Sequence, residues 1–225
     1  MKKSIVNNIQ NLTPWATTVL AAVVITWAWE EIINNTANWA SLNGYAGYHL
    51  TAEHLAGMIF LITIAYPYHR WISPLGIGQV WQRSSVLPAI AVVAIYSIEF
   101  SYGKLTGQAP ETWVETLLNQ PLAQLSAVFL TILILSPVSE EIIFRGINLN
   151  VFRTKYKWTQ WVGIVFVSLG FAAMHIQYQN LSTFVEMFTL SIVLAWARVR
   201  SGGMLLPIML HSLASILAVI FTLLD

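Results

Sequence analysis

The chain contains no cysteine, which excludes disulfides, a thiol nucleophile and thiolate metal sites. It is also poor in charge. Only 9% of its 225 residues are Asp, Glu, Lys or Arg, against roughly 25% in an average soluble domain, and a soluble globular fold is excluded with them. The 11 basic residues are scattered and the net charge is +1, so the dense cationic face that nucleic acid requires is missing. No internal repeat or low-complexity tract appears, and no pair of short, Gly/Pro-broken spans marks a repeat-built transporter site.

What remains is largely apolar. Hydrophobic residues make up 56% of the chain and the mean hydropathy is +0.64, values of an integral membrane protein. Crossing about 30 Å of hydrocarbon takes about 20 helical residues. Seven stretches meet or approach that length: Pro14–Ile33, Leu55–Trp71, Ser85–Tyr102, Leu122–Gly146, Trp158–His175, Leu181–Val199 and Met204–Leu224. Polar and helix-breaking residues separate them at Asn34–Gly47, at Ser73–Gly78 with Pro74, at Gly103–Pro110 and at Ser201-Gly202-Gly203. The expected fold is all-α, a polytopic membrane bundle of about seven transmembrane helices forming one domain over residues 1–225. The basic start and first apolar run resemble a signal peptide, but Trp27, Trp29, Glu30 and Glu31 provide no small-residue cleavage site, so the segment reads as a retained span.

Positive charge orients the bundle, because Lys and Arg of short loops stay cytoplasmic. With the N-terminus inside, Lys2, Lys3, Arg70, Arg83, Arg145, Arg153, Lys155, Lys157, Arg198 and Arg200 fall on that side and only Lys104 falls outside. Trp27, Trp29, Trp71, Trp81, Trp158, Trp161 and Trp196 cluster near span ends, as an interfacial aromatic belt requires. Glu111–Asn119, headed by Pro110, reads either as a short amphipathic helix on the outer surface or as a solvated loop.

Chemistry concentrates where charge meets apolar sequence. Glu140, Glu141 and Arg145 lie in Ser-Glu-Glu-Ile-Ile-Phe-Arg-Gly, directly after an almost wholly apolar run, and ionisable groups so placed usually serve a function. On a helix Glu141 and Arg145 share a face, while Glu140 is turned about 100° away. Glu141 can therefore pair with Arg145 as a strut, leaving Glu140 to face a cavity; a capping Glu–Arg pair at the membrane edge is the alternative. Pro137 removes a backbone donor nearby. Phe171 and His175 share a face one turn apart, as do His211 and Ser215. One acid and two imidazoles converging inside a bundle would make a hydrolytic centre.

The order Glu-Glu-x-x-x-Arg, Phe-x-x-x-His and a last His resembles the CAAX protease and bacteriocin-processing family, glutamic-type intramembrane endopeptidases related to Rce1-like prenyl-protein proteases. The first motif is Glu140, Glu141 and Arg145, and the second is Phe171 and His175. In the third, His211 is followed at the fourth position by Ser215, where the family usually has Asn or Asp. The resemblance runs from about Leu122 to the C-terminus, so residues 111–225 form the protease-like core and residues 1–110 supply three helices without an assignable motif. It implies that Glu140 and His175 polarise a water, that His211 with its partner stabilises the oxyanion, and that no cofactor is needed. Either His211 acts alone in the last role, or Ser215 reaches through water, or activity is reduced.

The implied substrate is a membrane-anchored peptide or protein cut near its anchor, the implied partner is the lipid bilayer, and the implied location is a bacterial inner membrane with the N-terminus cytoplasmic. Two rival readings stand. Glu140, His175 and His211 are also the donors of a catalytic zinc with an open position, although no His-Glu-x-x-His helix is present. The Ser215 departure suits a non-catalytic protein that binds a peptide, such as a bacteriocin-immunity protein.

Depth constrains the fourth span. Were it to end at Gly146, Glu140 would lie near the cytoplasmic face and His175 about 26 Å from it. With the helix continued to about Phe152 and the interface at Arg153, Lys155 and Lys157, Glu140 lies about 20 Å above that interface and His211 about 16 Å above Arg200. A long fourth helix with Arg145 buried is therefore expected. Glu186 is read as snorkelling to the interface at the outer start of span six, with lining a water path as the other reading. Glu99, Glu53 and His54 are read as interfacial polar groups, and Glu30 and Glu31 as facing headgroups.

Overall fold

Inside a bilayer each backbone polar group must be paired within the protein, which helices achieve without outside help. The computed structural model describes residues 2–224, with side chains from Pro14 onward, and no strand occurs among them. The Lys2 and Lys3 side chains and Asp225 lie outside the described residues.

Eight helical elements follow one another: α1 Lys2–Leu42, α2 His49–Trp71, α3 Arg83–Thr106, α4 Thr112–Leu118, α5 Leu122–Phe152, α6 Lys157–Met174, α7 Leu181–Ser201 and α8 Leu205–Leu223. Among the described residues six helices are long and apolar enough to cross a membrane. The remaining expected span, Trp158–His175, is α6, where Lys157, Thr159 and Gln160 reduce the apolar character of the first turn. The protein is a multi-pass, all-α membrane bundle.

Helix α1 overruns its expected end at Ile33 and continues to Leu42. The polar residues that suggested a connection satisfy themselves on the helix: Asn35, Thr36 and Ser41 donate to the carbonyls of Glu31, Ile32 and Ala37. The chain turns at Gly44, whose φ of 86° is open to glycine. Glu30 and Glu31 therefore sit within the helix, about 17 Å before its end, rather than at it. Trp29, assigned above to the interfacial belt, is 2% exposed and packs edge-on against Phe144.

At one end of the bundle the α2–α3 loop docks on the α7–α8 turn through backbone bonds Gln79 N–H to Ser201 O (3.1 Å), Met204 N–H to Gly76 O (3.2 Å) and Leu205 N–H to Ile77 O (3.0 Å). The approach is so close that a Cβ on Gly203 would meet the Ile77–Gly78 backbone. Arg198 donates to Leu75 O and Asn150 to Pro74 O, tying α7 and the end of α5 to the same loop. Arg70, Arg83, Arg153, Lys155, Lys157, Arg198 and Arg200 belong to this end, and Lys104 to the other. Arg145 leaves the orientation argument, being 0% exposed within α5.

The expected amphipathic segment at Glu111–Asn119 is helical over Thr112–Leu118. Glu111 ties it across the opposite end, accepting from Gln179 N–H (2.9 Å), Asn180 N–H (3.0 Å) and the Thr183 hydroxyl (2.7 Å) at the start of α7.

Candidate active site

Helix α5 carries the carboxylates, and it is not uniform. Regular α-helix over Ser136–Glu141 is flanked by π-helical turns at Thr131–Leu135 and Ile142–Asn148, and the last turn, Leu149–Phe152, is 3-10. π turns widen a helix and often occur at functional sites. Pro137 supplies no N–H to the Leu133 carbonyl one turn back. That carbonyl accepts instead from the Ser212 hydroxyl of α8 at 2.7 Å, which fixes α8 against the wide part of α5. The helix reaches Phe152, as the depth argument requires.

The two adjacent acids part as the 100° rotation predicts. Glu141 is fully buried and its Oε1 accepts from Arg145 Nη1 (2.9 Å) and from His211 Nδ1 (2.9 Å). Arg145 forms the expected strut, but with a single bond to the carboxylate. Nη1 serves Glu141, while Nη2 reaches α7 and donates to Ser191 Oγ (2.8 Å) and Ser191 O (3.4 Å). The guanidinium also lies 4.5 Å from the centroid of Phe171, so that aromatic ring is part of the strut.

Glu140 faces the other way, into a cavity of about 370 Å³ that His175, His211 and Ser215 also line. Its Oε1 accepts from the Ser136 hydroxyl one turn earlier, while Oε2 is buried without a hydrogen-bond partner and stands 3.9 Å from His211 Nε2. Nothing on the sequence side pointed to Ser136 beyond its i, i+4 spacing.

Hydrogen bonding sets the histidine tautomers. His175 follows the last residue of α6, and its Nδ1 lies 2.7 Å from Phe171 O. A carbonyl only accepts, so Nδ1 carries the hydrogen and Nε2 presents its lone pair. The Phe171 ring sits between the histidines, 4.5 Å from His175 and 5.8 Å from His211 by centroids, and fixes both planes. For His211 the bond to Glu141 likewise assigns a hydrogen to Nδ1. Ser215 does not extend this pair. Its hydroxyl donates to His211 O within the same helix at 3.3 Å.

Three side chains read as interfacial are not. Glu53 and His54 line the same cavity, and His54 interacts electrostatically with Glu140, His175 and His211. Its Nδ1 is buried without a partner. Helix α2 begins at His49, six residues before the apolar run at Leu55, which draws His54 more than a turn into the bundle. Glu186 is 8% exposed and does not snorkel. Among the described residues, no group of three or more His, Asp or Glu side chains is arranged to hold a metal ion.

Residues 122–217, which begin at the first residue of α5 and include every motif position of the cavity, match the family described as Type II CAAX prenyl endopeptidase Rce1-like. Over 207 residues the chain is 37% identical to an uncharacterized 24.3 kDa protein of Escherichia coli, covering 90% of this chain and 93% of that one. No solved structure gives a significant match. The buried glutamate pair and the last-helix histidine tied to it thus lie within the segment that matches a family of CAAX endopeptidases, and the chain belongs to the Rce1-like family.

Proposed function

We propose that the protein is an intramembrane endopeptidase that hydrolyses a peptide bond near the membrane anchor of its substrate. The observation that carries this reading is Glu140: buried, with one oxygen held by Ser136 and the other free toward a cavity edged by two histidines that each carry a hydrogen on Nδ1. Water held between Glu140 and His175 Nε2 gives up a proton to the carboxylate while its oxygen attacks the peptide carbonyl. The C–N bond then breaks, and Glu140 returns the proton to the leaving amine. His211 stabilises the oxyanion from Nε2, which requires both ring hydrogens because Nδ1 donates to Glu141. Ser215 stands behind it as a helix-bonded residue, so His211 acts alone.

An apolar groove of about 490 Å³ between α1 and α6 supports lateral entry. Val19, Val23, Phe166 and Gly170 line it, and Phe144 borders both the groove and the cavity. The substrate's anchor lies there while its polar flank reaches Glu140. The test compares membrane-anchored proteins and peptides by mass in cells with the parent and with Glu140→Ala. We expect at least one species to be shortened only in the parent. Identical profiles, with the biological effect retained in Glu140→Ala, would assign the protein to peptide binding without catalysis. Zinc-restored activity after chelation would move the same three side chains to a metal site.

The basic end of the bundle faces the cytoplasm of a bacterial inner membrane in this reading. A reporter active only outside is expected to work when fused after residue 225 and to fail when inserted between Arg153 and Lys157. The opposite pattern overturns the orientation.

A further inference from the structure

A second pocket, about 100 Å³, adjoins the catalytic cavity where α3 ends and α7 begins. Glu99, Glu111 and Glu186 line it, one from α3, one from the residue before α4 and one from α7. Two of these carboxylates are engaged. Glu99 Oε1 accepts from the Ser182 hydroxyl (3.0 Å) and from Gln108 Nε2 (3.4 Å), and Glu111 holds the start of α7. Glu186 is different: it is 8% exposed, lines the pocket, and among the described residues accepts no hydrogen bond and forms no ion pair. Glu99 and Glu111 share the pocket with it, so three carboxyl groups from separate elements face one cavity, and the most buried of them is without a partner.

A desolvated carboxylate without a partner is costly, and a cation seated between these groups relieves that cost. No three acids among the described residues converge closely enough for a metal ion. An ammonium or guanidinium on an apolar stem offers several donors at once to carboxyl groups that reach the pocket from separate elements. The walls suit such a stem, since Phe100 and Phe221 stack at 4.8 Å beside Met187 and Ala218. The only described ammonium of that end, Lys104, lies over the Phe100 ring at 5.5 Å. The pocket also shares Tyr96 and Tyr178 with the catalytic cavity, and the Tyr178 ring is stacked 6.0 Å from His175.

We propose that this pocket is a specificity subsite that takes a Lys or Arg side chain of the substrate peptide close to its scissile bond. The proposal rests on the peptidase reading above. The subsite orders cleavage by sequence: the basic side chain occupies Glu186 while the neighbouring carbonyl lies at Glu140. Substrates are then peptides with a basic residue at the junction between anchor and polar flank, on the α4 side of the bundle.

The test is a binding measurement that needs no turnover. Labelled peptides with an apolar segment of about 20 residues and a short Gly/Ser tail carry Lys, Arg or Gln at each tail position in turn. Their affinity is measured by anisotropy for the full chain in lipid nanodiscs, as Glu140→Gln and as Glu140→Gln with Glu186→Gln. At one tail position the basic peptide should bind about tenfold tighter than its Gln counterpart, and Glu186→Gln should reduce that preference to about twofold or less without changing the Gln peptide. Should the double variant fail to accumulate, Glu99→Gln serves in its place and should narrow the preference. Equal binding of basic and neutral peptides at every position overturns the subsite, as does a uniform loss for both classes, which marks a structural or water-conducting role. A preference that persists while the parent cleaves nothing sinks the peptidase and leaves the subsite; cleavage indifferent to basic residues does the reverse.

Discussion

Glu140→Gln is expected to end peptide hydrolysis, and His175→Ala to do the same, each lowering the rate by about 10² to 10⁴ while the protein remains folded in the membrane. Glutamine keeps the volume of Glu140 and an oxygen for the Ser136 hydroxyl. What it loses is the ability to take a proton from water at the position of Oε2, which has no other partner. Alanine at residue 175 removes the Nε2 lone pair but leaves the backbone bond from residue 175 N–H to Ala172 O, 3.1 Å in the parent, that closes α6. Cleavage of a tagged substrate and thermal melting in detergent should therefore separate: rate falls, melting stays near the parent's. Full activity of either variant removes the water-activation mechanism. Loss of melting along with rate would assign Glu140 or His175 to packing.

The class of the protein was legible from scarcity of charge, and the division of labour between Glu140 and Glu141 from a rotation of about 100° per residue. Neither depends on distant contacts. The misreadings share a cause. Hydropathy marks where lipid-compatible residues begin, whereas a helix begins where its backbone bonds begin. His54 precedes the apolar run at Leu55 yet belongs to a helix that starts at His49, and so it enters the cavity. The polar stretch after Ile33 looked like a loop because its side chains suit loops, but they bond to the preceding turn and α1 continues. Glu186 was assigned to the interface because a free carboxylate there has water. Only the neighbouring elements, α3 with Glu99 and the chain at Glu111, show that it faces a pocket inside the bundle. Ser191 was invisible because its role depends on where α7 passes α5.

Arg145→Ala is expected to destabilise the protein by about 3 to 5 kcal/mol, the cost of leaving a buried carboxylate without its cation. Both side chains of the pair are 0% exposed. Glu141 Oε2 has no partner even in the parent, so after the change Glu141 would keep only the His211 bond on Oε1. The damage would spread beyond that pair. Arg145 links α5 to α7 through Ser191 and lies over the Phe171 ring that orients His175 and His211. Accumulation and melting should fall first, and activity as a consequence. Arg145→Lys should rescue only partly. Its ammonium offers three donors from one point, whereas the guanidinium reaches Glu141 with one nitrogen and Ser191 with another. Ser191→Ala separates these terms, since it removes the shorter bond to α7, that to Oγ, and leaves the carbonyl bond and the charge pair, and it should cost about 1 kcal/mol. If Arg145→Ala melts like the parent, the Arg145–Glu141 pair contributes nothing to stability, and the His211 bond on Oε1 is enough to hold the buried Glu141 carboxylate.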